Sequence, residues 1–124
     1  MWKVLLLASC IVAGIVLGSC CANEVHSESV SPDGRYIASV IERNCGATTD
    51  YVTAVQIRGA RSAFSGRTWD DVFRVGGVAT VRLSWDGSNH LLVARPHRPS
   101  QTFAASSTWD DIRITYIDLP PDTR

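Results

Sequence analysis

The sequence predicts a small all-β domain behind an export signal. Three observations carry the fold class: short stretches in which apolar and polar residues alternate, turn residues that punctuate them, and the absence of the i, i+3, i+4, i+7 spacing of an amphipathic helix over three turns. The expected architecture is five or six strands, arranged either as one antiparallel, propeller-blade-like sheet or as a small two-sheet sandwich.

The chain opens with the short positive start Met1-Trp2-Lys3, followed by an uninterrupted apolar and small stretch of 14 residues from Val4 to Leu17. That is the layout of a secretory leader. A spanning helix would need about 20 apolar residues in a row, and the polar text after Ala22 shows no stop-transfer pattern. Leu17-Gly18-Ser19-Cys20 ends the leader with a cysteine behind two small residues, the bacterial lipobox pattern, in which the thiol takes a diacylglycerol and becomes the first mature residue. Residues 1–19 therefore read as a lipoprotein signal peptide and Cys20 as the lipidated residue. Two rival readings exist. Leu7-Ala8-Ser9-Cys10 has the same pattern but too short an apolar region before it, and ordinary cleavage after Ala22 would release a soluble protein. One acyl chain holds a protein only marginally, at roughly 0.8 kcal/mol per buried CH₂, whereas several anchor it stably.

From Cys20 the mature chain has 105 residues, one domain's worth. It carries 11 Arg and no Lys against 12 acidic residues, a formal charge of −1 with no basic stripe, which argues against nucleic acid as a partner. Asn23 to Ser31 is polar and reads, with Cys20 to Ala22, as a tether over residues 20–31. The β domain occupies residues 32–124.

Ser31-Pro32-Asp33-Gly34 has Ser, Pro and Gly where a type I turn uses them. Tyr36 to Arg43 follows, apolar on both alternations, as expected of a strand covered on two sides. The small, hydroxyl-rich segment Asn44 to Asp50 separates it from a strand over Tyr51 to Arg58. Gly59 to Asp71 reads as a surface loop, and Val72 to Val75 as a short strand ended by Gly76-Gly77. Ala79 to Trp85 alternates most cleanly, with Ala79, Val81, Leu83 and Trp85 inward. Asp86-Gly87-Ser88-Asn89 turns the chain into a strand over His90 to Arg95, a strong hairpin signal. Pro96 and Pro99 cannot continue a central strand, so Pro96 to Asp111 is expected to be a long loop. Ile112 to Asp118 is the last strand.

Two echoes run through the chain. Thr68-Trp69-Asp70-Asp71-Val72 recurs 40 residues later as Thr108-Trp109-Asp110-Asp111-Ile112, and Ser31-x-Asp33-Gly34 as Ser84-x-Asp86-Gly87. The stretch Ser31-Pro32-Asp33-Gly34-Arg35-Tyr36-Ile37-Ala38 resembles the strand entry of repeats in TolB-type propellers, but four blades of about 40 residues would need roughly 160. The echoes are read as turn-plus-strand grammar repeated for local reasons.

Several groups are candidates for chemistry. Asp70-Asp71 and Asp110-Asp111 would offer oxygen ligands to a hard cation, or a general acid and base, if the two echoing segments lay side by side. Adjacent strand residues point to opposite faces, which favours solvated turn residues instead. Cys45, beside Gly46, Thr48 and Thr49, is a conceivable thiolate nucleophile, yet no motif links it to a histidine base. In an oxidising compartment Cys21 and Cys45 can pair and staple the tether to the domain. The reading weighted above that one makes Cys45 a small buried hydrophobe. No C-x-x-C occurs, and His26, His90 and His97 are not spaced as a ligand set, so neither a metal nor another cofactor is implied.

The lipobox, Ser31 to Tyr36, the stretch Glu42-Arg43-Asn44-Cys45-Gly46-Ala47-Thr48-Thr49, and the later Val81-Arg82-Leu83-Ser84-Trp85 followed by Leu91-Leu92-Val93 together resemble a group of small uncharacterised bacterial lipoproteins. Cys-Gly-Ala-Thr-Thr is the most specific element. The resemblance implies export and a compact β domain and brings no activity with it. The functional expectation is a non-enzymatic, lipid-anchored protein of the bacterial cell membrane or outer membrane. Its partners are the bilayer, through Cys20, and another envelope protein or polymer. The expected binding surface is the loop with Cys45, Gly46, Thr48, Thr49 and Asp50 together with His97 and Arg98. The competing class is a small extracytoplasmic hydrolase or cation-dependent enzyme using the Asp pairs or Cys45.

Overall fold

The computed structural model describes residues 21–46 and 50–120, apart from the side chain of Trp69. The expected signal peptide, Cys20, Thr48 and Thr49 lie outside the described residues. Among the described residues nine strands follow one another: β1 (Ala22–Val30), β2 (Tyr36–Asn44), β3 (Val52–Gly59), β4 (Asp71–Gly76), β5 (Arg82–Trp85), β6 (His90–Arg95), β7 (Thr102–Ala105), β8 (Thr108–Trp109) and β9 (Ile112–Asp118). Single 3₁₀ turns occupy Thr68–Asp70 and Pro99–Gln101. The strands form a five-stranded sheet of order β1-β2-β3-β4-β7 and a four-stranded sheet of order β5-β6-β9-β8. The fold is all-β, and of the two expected architectures it is the one with two sheets.

The alternation of each strand explains how the sheets pack. Tyr36, Ala38 and Val40 of β2, Val55 and Ile57 of β3, and Phe73 and Val75 of β4 form one buried cluster with Val81, Leu91, Val93, Ile112 and Ile114 from the other side. Two ring pairs extend it, Phe73 with Tyr116 at 5.6 Å and Tyr36 edge-on to Trp109 at 5.8 Å. The Trp85 indole donates to the Ser29 carbonyl at 3.1 Å, fastening the second sheet to β1. The opposite face of the first sheet is buried as well: Ile41 faces Ala54 across the ladder, and both are inaccessible to water. Tyr36 to Arg43 is covered on both sides, as its double apolar pattern indicates.

The Ser31 turn forms as its residues require. The Gly34 N–H donates to the Ser31 carbonyl at 2.8 Å, Gly34 takes φ 74°, and the Asp33 carboxylate accepts from the Ser31 hydroxyl and the Arg35 N–H. The Ser31 hydroxyl bond, reinforced by the Arg35 N–H, holds the Asp33 carboxyl below its ordinary pKa.

Three expectations need correction. Asn23 to Val30 is no free spacer; it lies within β1, an edge strand paired antiparallel with β2 from Ala22↔Asn44 to Val30↔Ile37, with a bulge between Val25 and Ser27. Pro96 to Asp111 is no continuous loop, because within it β7 adds to the first sheet beside β4 and β8 pairs with β9. Ala79 to Trp85 is strand only from Arg82, since the hydroxyl of Thr53 draws the preceding backbone aside, donating to Gly77 O at 2.8 Å and accepting from Ala79 N at 3.0 Å. Sequence alternation also misses that β9 runs parallel to β6, from His90↔Arg113 to Arg95↔Asp118.

Candidate functional site

Antiparallel pairing brings the start of β1, the end of β2, the start of β3, the end of β4 and the start of β7 to one end of the first sheet. Cys21 and Cys45 stand there and are joined by a disulfide, with Cα atoms 4.0 Å apart, one position outside the last β1–β2 pair. Cys45 is exposed and oxidised, not a small buried hydrophobe. A disulfide sulfur cannot act as a thiolate nucleophile, so the thiol chemistry considered for Cys45 is not available in this state. Gly46 follows with its N–H donated to the Asn44 side-chain carbonyl at 3.1 Å.

Asp50 and Arg98, from the two segments expected to form a binding surface, line the same hollow. It has a volume of about 480 Å³, and Tyr51, Val78, Gln101 and Phe103 also line it. Its floor is fixed by backbone: Gly77 N donates to Tyr51 O at 2.6 Å, and the Arg98 guanidinium donates to Gly76 O at 3.3 Å. The Thr102 hydroxyl donates to Arg98 O at 2.8 Å, so the turn that carries Arg98 is held to β7. Phe103 is the extra residue of a bulge between β4 and β7, where Arg74 and Val75 face Ala104 and Thr102. A bulge re-aims the side chain it carries.

His97 sits in an adjoining hollow of about 270 Å³ with Arg95, Arg98, Pro99 and Thr102. Asp118 ties two of these side chains, accepting from Arg95 at 3.2 Å and meeting His97 Nδ1 at 3.0 Å. The Arg95 hydrogen bond, followed by His97, holds the Asp118 carboxyl below its ordinary pKa. Arg95 also lies 4.6 Å from the centroid of the Tyr116 ring.

The four aspartates of the echo do not converge. Asp71, fully buried, accepts from Arg43 through both oxygens at 2.6 and 2.9 Å, and from Gln56 and Arg74 at 2.8 and 3.1 Å. Asp70 accepts from the Ser65 hydroxyl at 2.6 Å. Asp111 accepts from Tyr36 at 3.0 Å and Asn89 at 3.1 Å, and Asp110 occupies a left-handed turn at φ 51°. The Asp111 bond pushes the Tyr36 phenol above its ordinary pKa. Among the described residues no three His, Cys, Asp or Glu gather where they could hold a metal ion. His90 meets Thr115 at 2.7 Å on the outer surface.

Two groups escape a reading of the sequence. His26, at the β1 bulge, pairs with Glu42 at 2.6 Å beside a hollow of about 330 Å³ lined by Val40, Thr53 and residues 78–81. The signal available was the Ser31 turn itself, since a turn that starts one strand of a hairpin needs another strand before it. The second is the buried Arg43–Asp71 pair. The loop before β4 lies over it, and the Gly66 and Arg67 carbonyls accept from Arg43 and Gln56 at 3.2 and 2.8 Å.

No family model matches this chain, and neither a curated protein nor a solved structure is significantly similar to it. Fold and site together define a two-sheet β domain with a disulfide-closed start and a half-apolar hollow at the same end.

Proposed function

We propose that the protein is a lipid-anchored, non-enzymatic component of the bacterial cell envelope, held by acylated Cys20, whose β domain engages an envelope component through the end bearing Asp50 and Arg98. The observation that carries this reading is the disulfide between Cys21 and Cys45 directly after the lipobox. Disulfides persist in oxidising, extracytoplasmic compartments, which is where a lipobox sends a chain. The hollow of the proposed site suits binding better than catalysis: among the described residues its one cation and one carboxylate, Arg98 and Asp50, stand among mostly apolar side chains, and no nucleophile–base pair lines it. Among the described residues no helix is long and apolar enough to cross a membrane.

The test is mass spectrometry of the N-terminus of protein made in a bacterial host, together with detergent-phase partitioning of wild type and Cys20→Ser. A diacylated N-terminal Cys20 and loss of partitioning in Cys20→Ser support the reading. A mature chain beginning at Asn23 without fatty acid refutes it.

A further inference from the structure

The same end of the sheet has a feature that anchoring alone does not use. Tyr51, Val78 and Phe103 are 42%, 62% and 61% exposed, three of the six large hydrophobics that face water among the described residues, and all three line the hollow with Arg98. They come from three separate connections, the entry to β3, the exit from β4 and the bulge of β7, so no single strand's pattern places them together.

Where the chain leaves the domain decides what can cover them. The lipobox cysteine immediately precedes Cys21, and consecutive Cα atoms are about 3.8 Å apart. Cys21 is bonded to Cys45 and its neighbour Ala22 is already in the ladder with Asn44. The segment expected to give slack is β1 itself. An acyl group on Cys20 therefore leaves this end of the domain within about one residue's length of the headgroups. The Ser31–Tyr36 turn, at the other end of β1 and β2, is held away by the length of a nine-residue strand.

We propose that the occupant of this end is the lipid headgroup layer: Tyr51, Val78 and Phe103 enter the interface and Arg98 meets lipid phosphate. This rests on the anchoring reading and deepens it, naming the bilayer surface as the component that the site engages. Aromatic side chains favour the boundary between headgroups and acyl chains, and a guanidinium binds phosphate through paired N–H donors. The acyl chains and the apolar trio act in series, the first bringing the face to the surface and the second fixing its orientation.

The experiment uses acylated full-length protein on vesicles of phosphatidylethanolamine and phosphatidylglycerol carrying a nitroxide headgroup lipid. NMR relaxation enhancement is read residue by residue, and acylation is verified by mass spectrometry on the same sample. Enhancement several-fold larger at Val52, Gly76 to Val78 and Gln101 to Phe103 than at Ser31 to Tyr36 is the expected result. In Tyr51→Ser/Phe103→Ser the enhancement at Val78 and Gln101 falls while the chain stays acylated and vesicle-bound. An acylated, bound chain relaxed equally at both ends, or a double variant indistinguishable from wild type, overturns the docking face; the first of these is also the result expected if a protein rather than lipid covers the trio. A chain that is neither acylated nor vesicle-bound overturns the anchoring reading instead.

Discussion

The guanidinium of Arg43 grips both carboxylate oxygens of Asp71 on the outer face of the first sheet, 28 residues along the chain, with side chains 3% and 0% exposed. An Arg held this deep is tolerated because every side of the pair is occupied: Asn23 accepts from its Nε at 3.0 Å, Gly66 O from Nη2, and Gln56 and Arg74 share Asp71.

Removing one partner of such a pair strands the other charge in a site closed to water. Arg43→Ala is expected to cost about 3–5 kcal/mol, whereas replacing both Arg43 and Asp71 with apolar residues of similar volume costs far less. Chemical denaturation of the three chains checks this. A smaller loss in the single variant than in the double would show that the pair does not hold the loop.

Gly66 and Gly34 separate two costs of substitution. Both have positive φ, at 66° and 74°, but a Cβ on Gly66 would stand 2.8 Å from Asn23 Nδ2 and 3.2 Å from the Phe64 ring, while one on Gly34 meets nothing. Gly34→Ala should lose only the left-handed penalty, about 1–2 kcal/mol. Gly66→Ala should lose more and loosen the loop over Arg43, seen as faster amide exchange in residues 64–68.

The disulfide closes a segment with a sequence separation of 24. Chain-entropy arguments put the stabilisation from a loop of that size at about 3.5 kcal/mol. Paired Cys21→Ser/Cys45→Ser should lower the unfolding free energy by about that amount, with the earliest amide exchange along β1, an edge strand held on one side only.

Tyr116 donates its hydroxyl to the Ser106 carbonyl at 2.7 Å and to Val72 O at 3.2 Å, and burial pushes its pKa up to about 12. The phenol thus binds its proton more tightly folded than unfolded. Stability from this group is complete below the unfolded value near 10 and falls as pH rises toward 12. Absorbance at 295 nm should show phenol ionising as late as pH 12, and Tyr116→Phe should remove one phenol's amplitude from that late step while leaving the contribution of Tyr36.

Asp118 behaves in the opposite sense. Its carboxyl is lowered chiefly by Arg95, so the stability it contributes is present above its unfolded pKa and disappears as pH falls through the lower folded value. Arg95→Ala should raise the Asp118 pKa, followed by carboxyl-carbon NMR titration, and should raise it more than His97→Ala does.

How much of this was legible depends on where each residue's partner lies. The strands His90–Arg95 and Ile112–Asp118 follow from their own alternation, and the Ser31 turn from four consecutive residues. β7 was not legible, and β1 only through the Ser31 turn that must join it to β2, because an edge strand is defined by the backbone groups of its neighbour and the mostly polar side chains of Asn23 to Ser29 carry no apolar period. The convergence of Asp50 with Arg98 follows from two loops judged exposed. Their position at the disulfide end needed the register of the sheet. The identical words Asp70-Asp71 and Asp110-Asp111 meet different fates because a returning loop covers Asp71, while Asp111 stays at a surface turn beside Tyr36.

The placement of β9 between β6 and β8 has a consequence for how the polypeptide reaches this shape. Leu91 and Val93 lack their parallel neighbour until Asp118 has arrived, so the second sheet cannot close on a growing chain. Pairings of such long sequence separation belong to the slow, millisecond-to-second class of folding. Ile112–Asp118 thus acts as the bolt of the second sheet, which shuts only once the chain extends as far as Asp118.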